Sequence, residues 1–314
     1  MRRQLLQYHA DFGCTFIPNL KTRVDHEGGG YLVSVNSSGF RSDREFLPTK
    51  TPGMFRVLAF GDSFTAADGV SNKDRYTDIL EKLLPGLEVY NFGLPGTGTD
   101  QHFLVFRDKA PQIEHDLVLI AVQVENIRRV TARFRPCRSG DGIREVYAKP
   151  YFTLEPNGVL TRHHFPVPTD PDLIYKLSSR EISTALAHEG KPDSFLPEYD
   201  QPDDLNWQLM RAILIQWIHE SRVPVLVCPI PLVEFITNEA SSEAYMACFH
   251  ELGKITCATI HDPLPDYHNT PSSERWRFLF PTDRHPTRAS HHLLAESLAP
   301  LIRSFMKRSK SNDG

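Results

Sequence analysis

A short apolar run that ends at a glycine, FRVLAFGDSFTA over residues 55–66, most constrains how this chain can fold. The continuous apolar stretch Val57–Phe60 is typical of a parallel strand buried on both faces. Gly61 predicts a tight turn directly after that strand. Ligands of open α/β sheets bind just beyond the carboxyl ends of such strands. Ser63 is therefore expected at the edge of the crevice, with its hydroxyl able to face a substrate.

Apolar strands and amphipathic helices alternate along the rest of the chain, which favours βαβ units. The pattern predicts an α/β fold, a three-layer α/β/α sandwich with a short, mostly parallel sheet. Further strands are predicted at Leu87–Tyr90, Leu117–Val122, Val225–Cys228 and Ile255–Ile260, and helices whose apolar faces begin near Tyr76, Gln101, Met210, Tyr245 and Leu294.

Three segments depart from this alternation. Residues 1–54 lack helical periodicity, and we expect an N-terminal extension packed on a main domain at 55–306. Residues 128–202 are rich in proline and poor in apolar residues, so we expect an insertion that lies over the active-site side of the sheet. The polar end, 307–314, is expected to be disordered.

Composition and charge exclude several classes of function. A formal charge of −4 gives no broad attraction for nucleic acid or for an anionic membrane. No run of about 18 apolar residues predicts a membrane span. The charged start Met1-Arg2-Arg3 is not followed by an apolar segment, so no secretory signal is expected. The five cysteines show no C-x-x-C spacing, and buried reduced thiols in a cytoplasmic protein are expected.

A serine hydroxyl is a poor nucleophile unless a base, usually a histidine oriented by a carboxylate, lies beside it. The candidate pair is Asp283 and His285, in a loop before the last predicted helix. A parallel sheet would place this loop on the same rim as Ser63. Two alternatives are open at this point. Ser63 can be a structural turn residue, and His285 can be an exposed loop histidine without a role.

These motifs resemble those of the GDSL, or SGNH, hydrolases. Gly61-Asp62-Ser63-Phe64 resembles the GDS-L/F signature of that family, and Asp283–Glu296 resembles its closing block. The usual closing block reads Asp-x-x-His, and the Asp-x-His found here is a variant of carbohydrate-directed members. Asn36–Arg41 resembles a leader found ahead of the serine block in many bacterial members. The resemblance covers roughly residues 55–128 and 280–300, which leaves most of the insertion without a counterpart.

The resemblance also implies an oxyanion hole. Asn91–Gly96 resembles the second family block, an Asn-x-Gly-x-x-Gly turn, although a plain βα turn would look the same. The third block, normally Gly-x-Asn-Asp, is Gln123–Ile127 here and lacks its glycine. An alternative register puts Glu125 at the asparagine position, where a carboxylate would repel an oxyanion. The implied catalytic residues are Ser63, Asp283 and His285, and the implied oxyanion donors are Ser63, Gly96 and Asn126.

The implied activity is that of a serine esterase that needs no cofactor. It would hydrolyse an O-acyl ester, such as an acetyl ester, on a carbohydrate or small molecule through an acyl-enzyme on Ser63. One alternative is an O-acyltransferase that modifies a saccharide with the same residues. Another is a catalytically silent binding module with the same fold.

Other residues give weaker indications. Asp62, Arg128 and Arg129 are candidates for substrate binding, the two arginines because they begin an arginine-rich stretch that could hold an anionic group. The same stretch could equally be a solvated face with local salt bridges. His163-His164 lacks a third ligand at metal spacing, so no metal site is predicted.

Overall fold

The computed structural model describes residues 5–138, 144–169 and 196–312, and a five-stranded parallel sheet lies at its centre. In chain order the strands are β1 Leu6–His9, β2 Gly13–Phe16, β3 Lys21–Val24, β4 Tyr31–Ser34, β5 Phe55–Phe60, β6 Leu87–Asn91, β7 Leu117–Gln123, β8 Phe134–Arg138, β9 Arg144–Ala148, β10 Tyr151–Leu154, β11 Leu160–His163, β12 Val225–Ile230 and β13 Thr259–Ile260. The helices are α1 Ser63–Ala66, α2 Tyr76–Leu83, α3 Thr99–Lys109, α4 Asn126–Arg129, α5 Leu205–Glu220, α6 Val233–Ile236, α7 Glu243–Thr256, α8 Leu264–His268 and α9 Arg288–Asn312.

The central sheet has the strand order β13-β12-β7-β5-β6, and every pairing in it is parallel. The connections between neighbouring strands therefore pass over the faces of the sheet, as βαβ units require. This arrangement confirms the predicted α/β fold. It also brings the carboxyl ends of β5, β7 and β12 to one edge, where the loops that follow them meet.

Every residue of β5 and β7 is buried. Because successive side chains of a strand point to opposite faces, these residues alternate between two cores. Val57 and Ala59 belong to the core that α2 and α9 cover. Leu58 and Phe60 belong to the larger core, which α3, α5 and α7 cover. Helices thus lie on both faces of the sheet, which is the predicted three-layer arrangement.

The N-terminal segment forms two antiparallel hairpins, β1–β2 and β3–β4. Its largest apolar side chains are buried in the same core as Leu58 and Phe60, among them Phe12, Phe16 and Phe40. This burial places residues of the segment next to the helix that carries Ser63, as described below.

Two predicted element boundaries near the C-terminal half are wrong. β12 continues through Pro229 to Ile230, whereas we predicted its end at Cys228. Proline is tolerated there because β13 pairs only with the earlier residues Leu226 and Val227, so the missing N–H costs no bond to β13. The predicted strand Ile255–Ile260 is reduced to the two residues of β13, since α7 continues to Thr256.

The cysteines differ in one respect from the expectation of buried thiols. Cys14, Cys228 and Cys248 are buried and free, but Cys257 is exposed. Cys257 follows the last residue of α7 and adopts a left-handed conformation with φ of 60°, which ends the helix and turns the side chain to solvent.

The polar end of the chain is helical rather than disordered as far as Asn312, because α9 spans 25 residues. Its apolar face continues to Phe305 and Met306, and adding residues to an existing helix costs little. Within the predicted insertion, 128–202, the structure shows the hairpins β8–β9 and β10–β11. Residues 139–143 and 170–195 of that prediction lie outside the described residues.

Candidate active site

Ser63 lies in a tight connection between β5 and the one-turn helix α1. Asp62 is the N-cap of that helix, and its side chain accepts a hydrogen bond of 2.9 Å from the Phe64 N–H. A side chain at Gly61 would come within 2.9 Å of the Ala121 carbonyl oxygen on β7, so only glycine fits this turn. The local sequence therefore fixes Ser63 as the first helical residue beyond the carboxyl end of β5.

Arg41 holds the other end of this helix. Its guanidinium, which is 1% exposed, donates to the carbonyl oxygens of Ala66 and Ala67 at 2.7 Å and of Val70 at 2.8 Å. Burial and the neighbouring Arg75 lower the pKa of Arg41 to about 10. The leader noted in the sequence thus supplies a clamp on the helix that begins at Ser63, a role that the motif alone did not indicate.

The structure brings the three predicted catalytic side chains into one hydrogen-bonded chain. His285 Nε2 lies 2.8 Å from Ser63 Oγ, and His285 Nδ1 lies 2.6 Å from Asp283 Oδ1. A carboxylate can only accept, so the proton of the neutral ring is placed on Nδ1. Nε2 is then the acceptor that faces the serine hydroxyl, which is the geometry of general-base activation.

The loop that carries Asp283 and His285 explains how an Asp-x-His spacing brings them into contact. Arg284, between them, has a left-handed backbone with φ of 65°. This turn lets the backbone N–H of His285 donate to Asp283 Oδ1 at 2.8 Å while the ring reaches the same oxygen. The loop is closed by a hydrogen bond of 2.9 Å from the Phe280 N–H to the His285 carbonyl oxygen.

The charges around the imidazole favour its protonated form. Burial alone would lower the pKa of His285, but the hydrogen bond to Asp283 and the negative charges of Asp68, Asp283 and Asp62 outweigh burial and raise it. Burial likewise opposes ionisation of Asp283, yet its hydrogen bonds with His285 and His26 hold its pKa below the usual range. The site therefore stabilises an ion pair of imidazolium and carboxylate, which is the state that forms when His285 takes a proton.

Asn126 and Arg129 both contact Asp62, the residue before Ser63. The Asn126 amide lies 3.3 Å from Asp62 Oδ2, and Arg129 Nη1 lies 3.2 Å from the same oxygen. Asn126 is fully buried, whereas the side chain of Glu125 is 26% exposed and lies 3.9 Å from Arg129. The asparagine, rather than the glutamate, thus lies beside the turn that carries Ser63.

Gly96 lies in the turn after β6. That turn is joined to the turn before Ser63 by a hydrogen bond of 3.0 Å from the Leu94 N–H to the Gly61 carbonyl oxygen. The Gly96 φ of 67° is in the left-handed region that favours glycine. The Arg135 guanidinium occupies the space that a side chain at Gly96 would need, and it donates to the Pro95 carbonyl oxygen at 3.0 Å. The oxyanion roles of Gly96 and Asn126 stay predictions.

The arginine-rich stretch is engaged in contacts within the chain. Arg128 forms an ion pair of 2.6 Å with Glu198, and Arg129 is paired with Asp62. Arg133 lies over the Tyr151 ring at 5.4 Å. Of the three candidates for substrate binding, Arg129 has the most exposed side chain, at 32%, while that of Asp62 is 1% exposed.

Two buried or partly buried polar groups near the site were missed in the sequence. Lys149 Nζ forms a fully buried ion pair of 2.5 Å with Asp100 and donates to the carbonyl oxygens of Arg129 and Ala132 at 3.0 Å. His26 contacts the carboxylate of Asp283. Neither Lys149 nor His26 belongs to a motif. Their roles become visible only in the fold, because their partners are distant in the sequence.

The described residues contain neither a cluster of metal-binding side chains nor a membrane-spanning helix. No group of three or more His, Cys, Asp or Glu side chains within 5–138, 144–169 and 196–312 is placed to hold a metal ion. None of the helices in that part of the chain is long and apolar enough to cross a bilayer.

A serine, a histidine and an aspartate lie in hydrogen-bonded order at the carboxyl edge of the parallel sheet, which is the geometry that serine-nucleophile sites share. No protein-family model and no curated protein matches the chain. Solved structures do match. A lipolytic protein of the G-D-S-L family from Veillonella parvula is 10% identical, with a TM-score of 0.45, over 79% of this chain and 98% of its own.

Two further structures are similar to this chain. The acetyl xylan esterase AlAXEase is 15% identical, with a TM-score of 0.47, over 79% of this chain and 100% of its own. The psychrotrophic esterase EstA from Pseudoalteromonas sp. is 12% identical, with a TM-score of 0.45, over 80% of this chain and 98% of its own. The G-D-S-L family named among these matches is the one that the sequence motifs resemble. We base the proposed activity on the geometry of Ser63, His285 and Asp283.

Proposed function

We propose that this protein is a serine ester hydrolase that works through an acyl-enzyme on Ser63. The observation that carries the proposal is the continuous chain from Ser63 Oγ through both nitrogens of His285 to Asp283, with links of 2.8 and 2.6 Å. Ser63 and His285 lie 222 residues apart in the sequence, and only the fold brings them together. A structural turn serine would not need a histidine oriented in this way.

The proposed reaction has two halves. Ser63 Oγ attacks the ester carbonyl carbon while its proton passes to His285 Nε2, and Asp283 stabilises the imidazolium that forms. The tetrahedral intermediate collapses when the bond to the alcohol oxygen breaks, and that oxygen takes the proton from His285. Water then attacks the acyl-enzyme, gives a proton to His285, and releases the carboxylic acid as the proton returns to Ser63.

Negative charge on the carbonyl oxygen needs hydrogen-bond donors that are already in place. We assign the backbone N–H groups of Ser63 and Gly96 and the side-chain amide of Asn126 to this role. One hydrogen of the Asn126 amide is used by Asp62 at 3.3 Å, and the amide carries a second. The buried position of Asn126 beside the nucleophile's turn supports the assignment.

The proposed substrate is an O-acylated carbohydrate, on the basis of the Asp-x-His variant in the family resemblance. We propose Arg129 as the arginine that contacts substrate, because its partly exposed guanidinium bridges Asp62 and the Thr97 carbonyl oxygen. The same residues could transfer the acyl group to a sugar hydroxyl instead of water, and the assay below distinguishes these two products.

The test combines covalent labelling with turnover. Wild-type protein, Ser63→Ala and the control Ser290→Ala are treated with a fluorophosphonate probe, and the adduct is mapped by mass spectrometry. Ser290 is a buried serine bonded to Tyr267, outside the chain of catalytic groups. Hydrolysis of 4-nitrophenyl acetate and of acetylated xylo-oligosaccharides is measured in parallel, with and without an added saccharide acceptor.

Labelling at Ser63 and loss of turnover only in Ser63→Ala would support the proposed function. Turnover by Ser63→Ala equal to that of the wild type would refute it. An acylated saccharide among the products would replace hydrolysis by transfer. Absence of labelling and of turnover in the wild type would favour the catalytically silent module.

A further inference from the structure

We propose that His26, in the N-terminal segment, is a positioning residue of this active site that acts through Asp283. This inference rests on the proposed function. His26 Nε2 lies 2.8 Å from Asp283 Oδ2, the oxygen that His285 does not use. The chain of hydrogen bonds at the site thus has four members, and the fourth comes from a segment 257 residues away in the sequence.

The hydrogen bonds of the His26 ring define which nitrogen is the donor. The backbone N–H of Gly28 donates to His26 Nδ1 at 3.2 Å, so Nδ1 is an acceptor and carries no proton. In the neutral ring the proton is therefore on Nε2, which faces Asp283. His26 can donate to the carboxylate without being charged.

The ring of His26 is held in place by aromatic neighbours. It packs edge-on against Phe280, with ring centroids 4.4 Å apart, and against Tyr31 at 5.8 Å. Its side chain is only 10% exposed. Phe280 begins the loop that ends at His285, so the same contact joins the N-terminal segment to the catalytic loop.

Glu27 strengthens this junction from the neighbouring position. Its carboxylate accepts hydrogen bonds from the backbone N–H of Thr282 at 3.1 Å and of Asp283 at 2.8 Å. His26 thus binds the side chain of Asp283 while Glu27 binds its backbone. Together they fix the carboxylate and the main chain of Asp283, the residue that orients His285.

This arrangement has a clear physical consequence for Asp283. Its side chain is 32% exposed, so water could compete for Oδ2 and the carboxylate plane could rotate if that oxygen were unbound. A donor from a rigid ring fills the position and holds Oδ1 towards His285. We place His26 among positioning residues because, within the described part of the chain, its ring hydrogen-bonds to Asp283 and to the Gly28 N–H rather than to Ser63 or His285.

The test uses the full chain and the rate constant for inactivation by the fluorophosphonate probe, which reports the reactivity of Ser63 without a known ester. His26→Phe keeps the ring packing and removes the donor, and we expect a rate about tenfold or more below the wild type. His26→Gln restores an N–H donor and should recover the rate to within about threefold of the wild type. The control His115→Phe alters a partly buried histidine that bonds the Ile113 carbonyl oxygen before β7, and should leave the rate unchanged.

A double-mutant cycle with Asp283→Asn shows whether His26 acts through Asp283. We expect His26→Phe to have no further effect in the Asp283→Asn background, because the carboxylate it positions is already gone. Wild-type rates in His26→Phe, or equal losses in both backgrounds, would overturn the proposal. So would a rate in His26→Gln as low as in His26→Phe. An unlabelled wild type would instead count against the proposed function, so the two failures are distinguishable.

Discussion

Asp283 Oδ1 accepts two hydrogen bonds from His285, one from ring Nδ1 at 2.6 Å and one from the backbone N–H at 2.8 Å. The carboxylate thereby fixes the ring relative to the main chain of the same residue. This double contact holds the aspartate and the histidine together across the short Asp-x-His spacing. Its cost is a left-handed residue between them, Arg284.

Replacing Asp283 by asparagine should remove most of the activity without unfolding the protein. An amide that donates to His285 Nδ1 would favour the tautomer with its proton on Nε2, which cannot accept from Ser63. We expect kcat to fall about 10⁴-fold. The measurement is kcat on an ester that the wild type hydrolyses, together with the thermal midpoint. Activity within tenfold of the wild type would remove Asp283 from the mechanism.

The left-handed backbone of Arg284 leads to a second prediction. Glycine adopts a φ of 65° without strain, whereas a β-branched side chain there is strongly disfavoured. Both Arg284→Gly and Arg284→Val lose the ion pair with Glu234, so each is the other's control for that loss. We expect kcat/KM of Arg284→Gly to stay within about threefold of the wild type and that of Arg284→Val to fall at least about tenfold, since strain at such a site is of order 1–3 kcal/mol. Equal values for the two variants would show that the loop geometry is not important for catalysis.

The sequence predicted the fold well where burial leaves a continuous apolar signal. β5 and β7 are buried along their whole length and were found at nearly their observed bounds. Pro229 predicts a strand end because proline usually ends a strand, but its position beyond the short pairing with β13 removes that penalty. The polar composition of the last residues predicts disorder, but α9 continues through them to Asn312. Composition alone does not reveal that an existing helix extends into a polar segment.

The site was predictable only where its residues belong to motifs. Ser63 follows a recognisable strand, and Asp283 and His285 lie close together in the sequence. His26 belongs to no motif, and the leader motif that contains Arg41 does not indicate its role. The partners of both residues are far away in the chain, and hydrogen bonding at a distance leaves no periodicity. The ion pair of Arg128 with Glu198 has no sequence signal for the same reason. The arginine-rich stretch alone therefore does not show which of its arginines is paired within the chain.

The raised pKa of His285 predicts how activity depends on pH. The base must be neutral to accept a proton, so kcat/KM should fall as the pH decreases through a midpoint above 6.5, the ordinary value for histidine. Asp68 is one of the charges that raise this pKa. Asp68→Asn should therefore move the acidic limb of the profile to lower pH, while Asp74→Asn, which alters a pair with Arg288, should leave it in place. A limb that does not move in Asp68→Asn would exclude this electrostatic effect.

Arg41 should contribute strongly to the free energy of unfolding, because its guanidinium binds three buried carbonyl oxygens. Arg41→Met removes the donors to the buried carbonyl oxygens of Ala66, Ala67 and Val70, and each unsatisfied group costs about 1–3 kcal/mol. We expect the free energy of unfolding to fall by at least about 3 kcal/mol in denaturant titrations. The control Arg44→Met loses a more exposed ion pair with Glu81 and should cost about 1 kcal/mol or less. A similar loss for both variants would mean that Arg41 does not clamp α1.

The final prediction separates the two registers of the third motif block. If Asn126 donates to the oxyanion, Asn126→Ala should lower kcat about 10²- to 10³-fold with little change in KM, because the bond forms mainly in the transition state. Glu125→Gln is the matched control, since Glu125 is partly exposed and contacts Arg129 rather than Asp62. It should change kcat by less than about threefold. A large loss in Glu125→Gln with an active Asn126→Ala would assign the position to Glu125, and the oxyanion would then need donors from Gly96 and Ser63 alone.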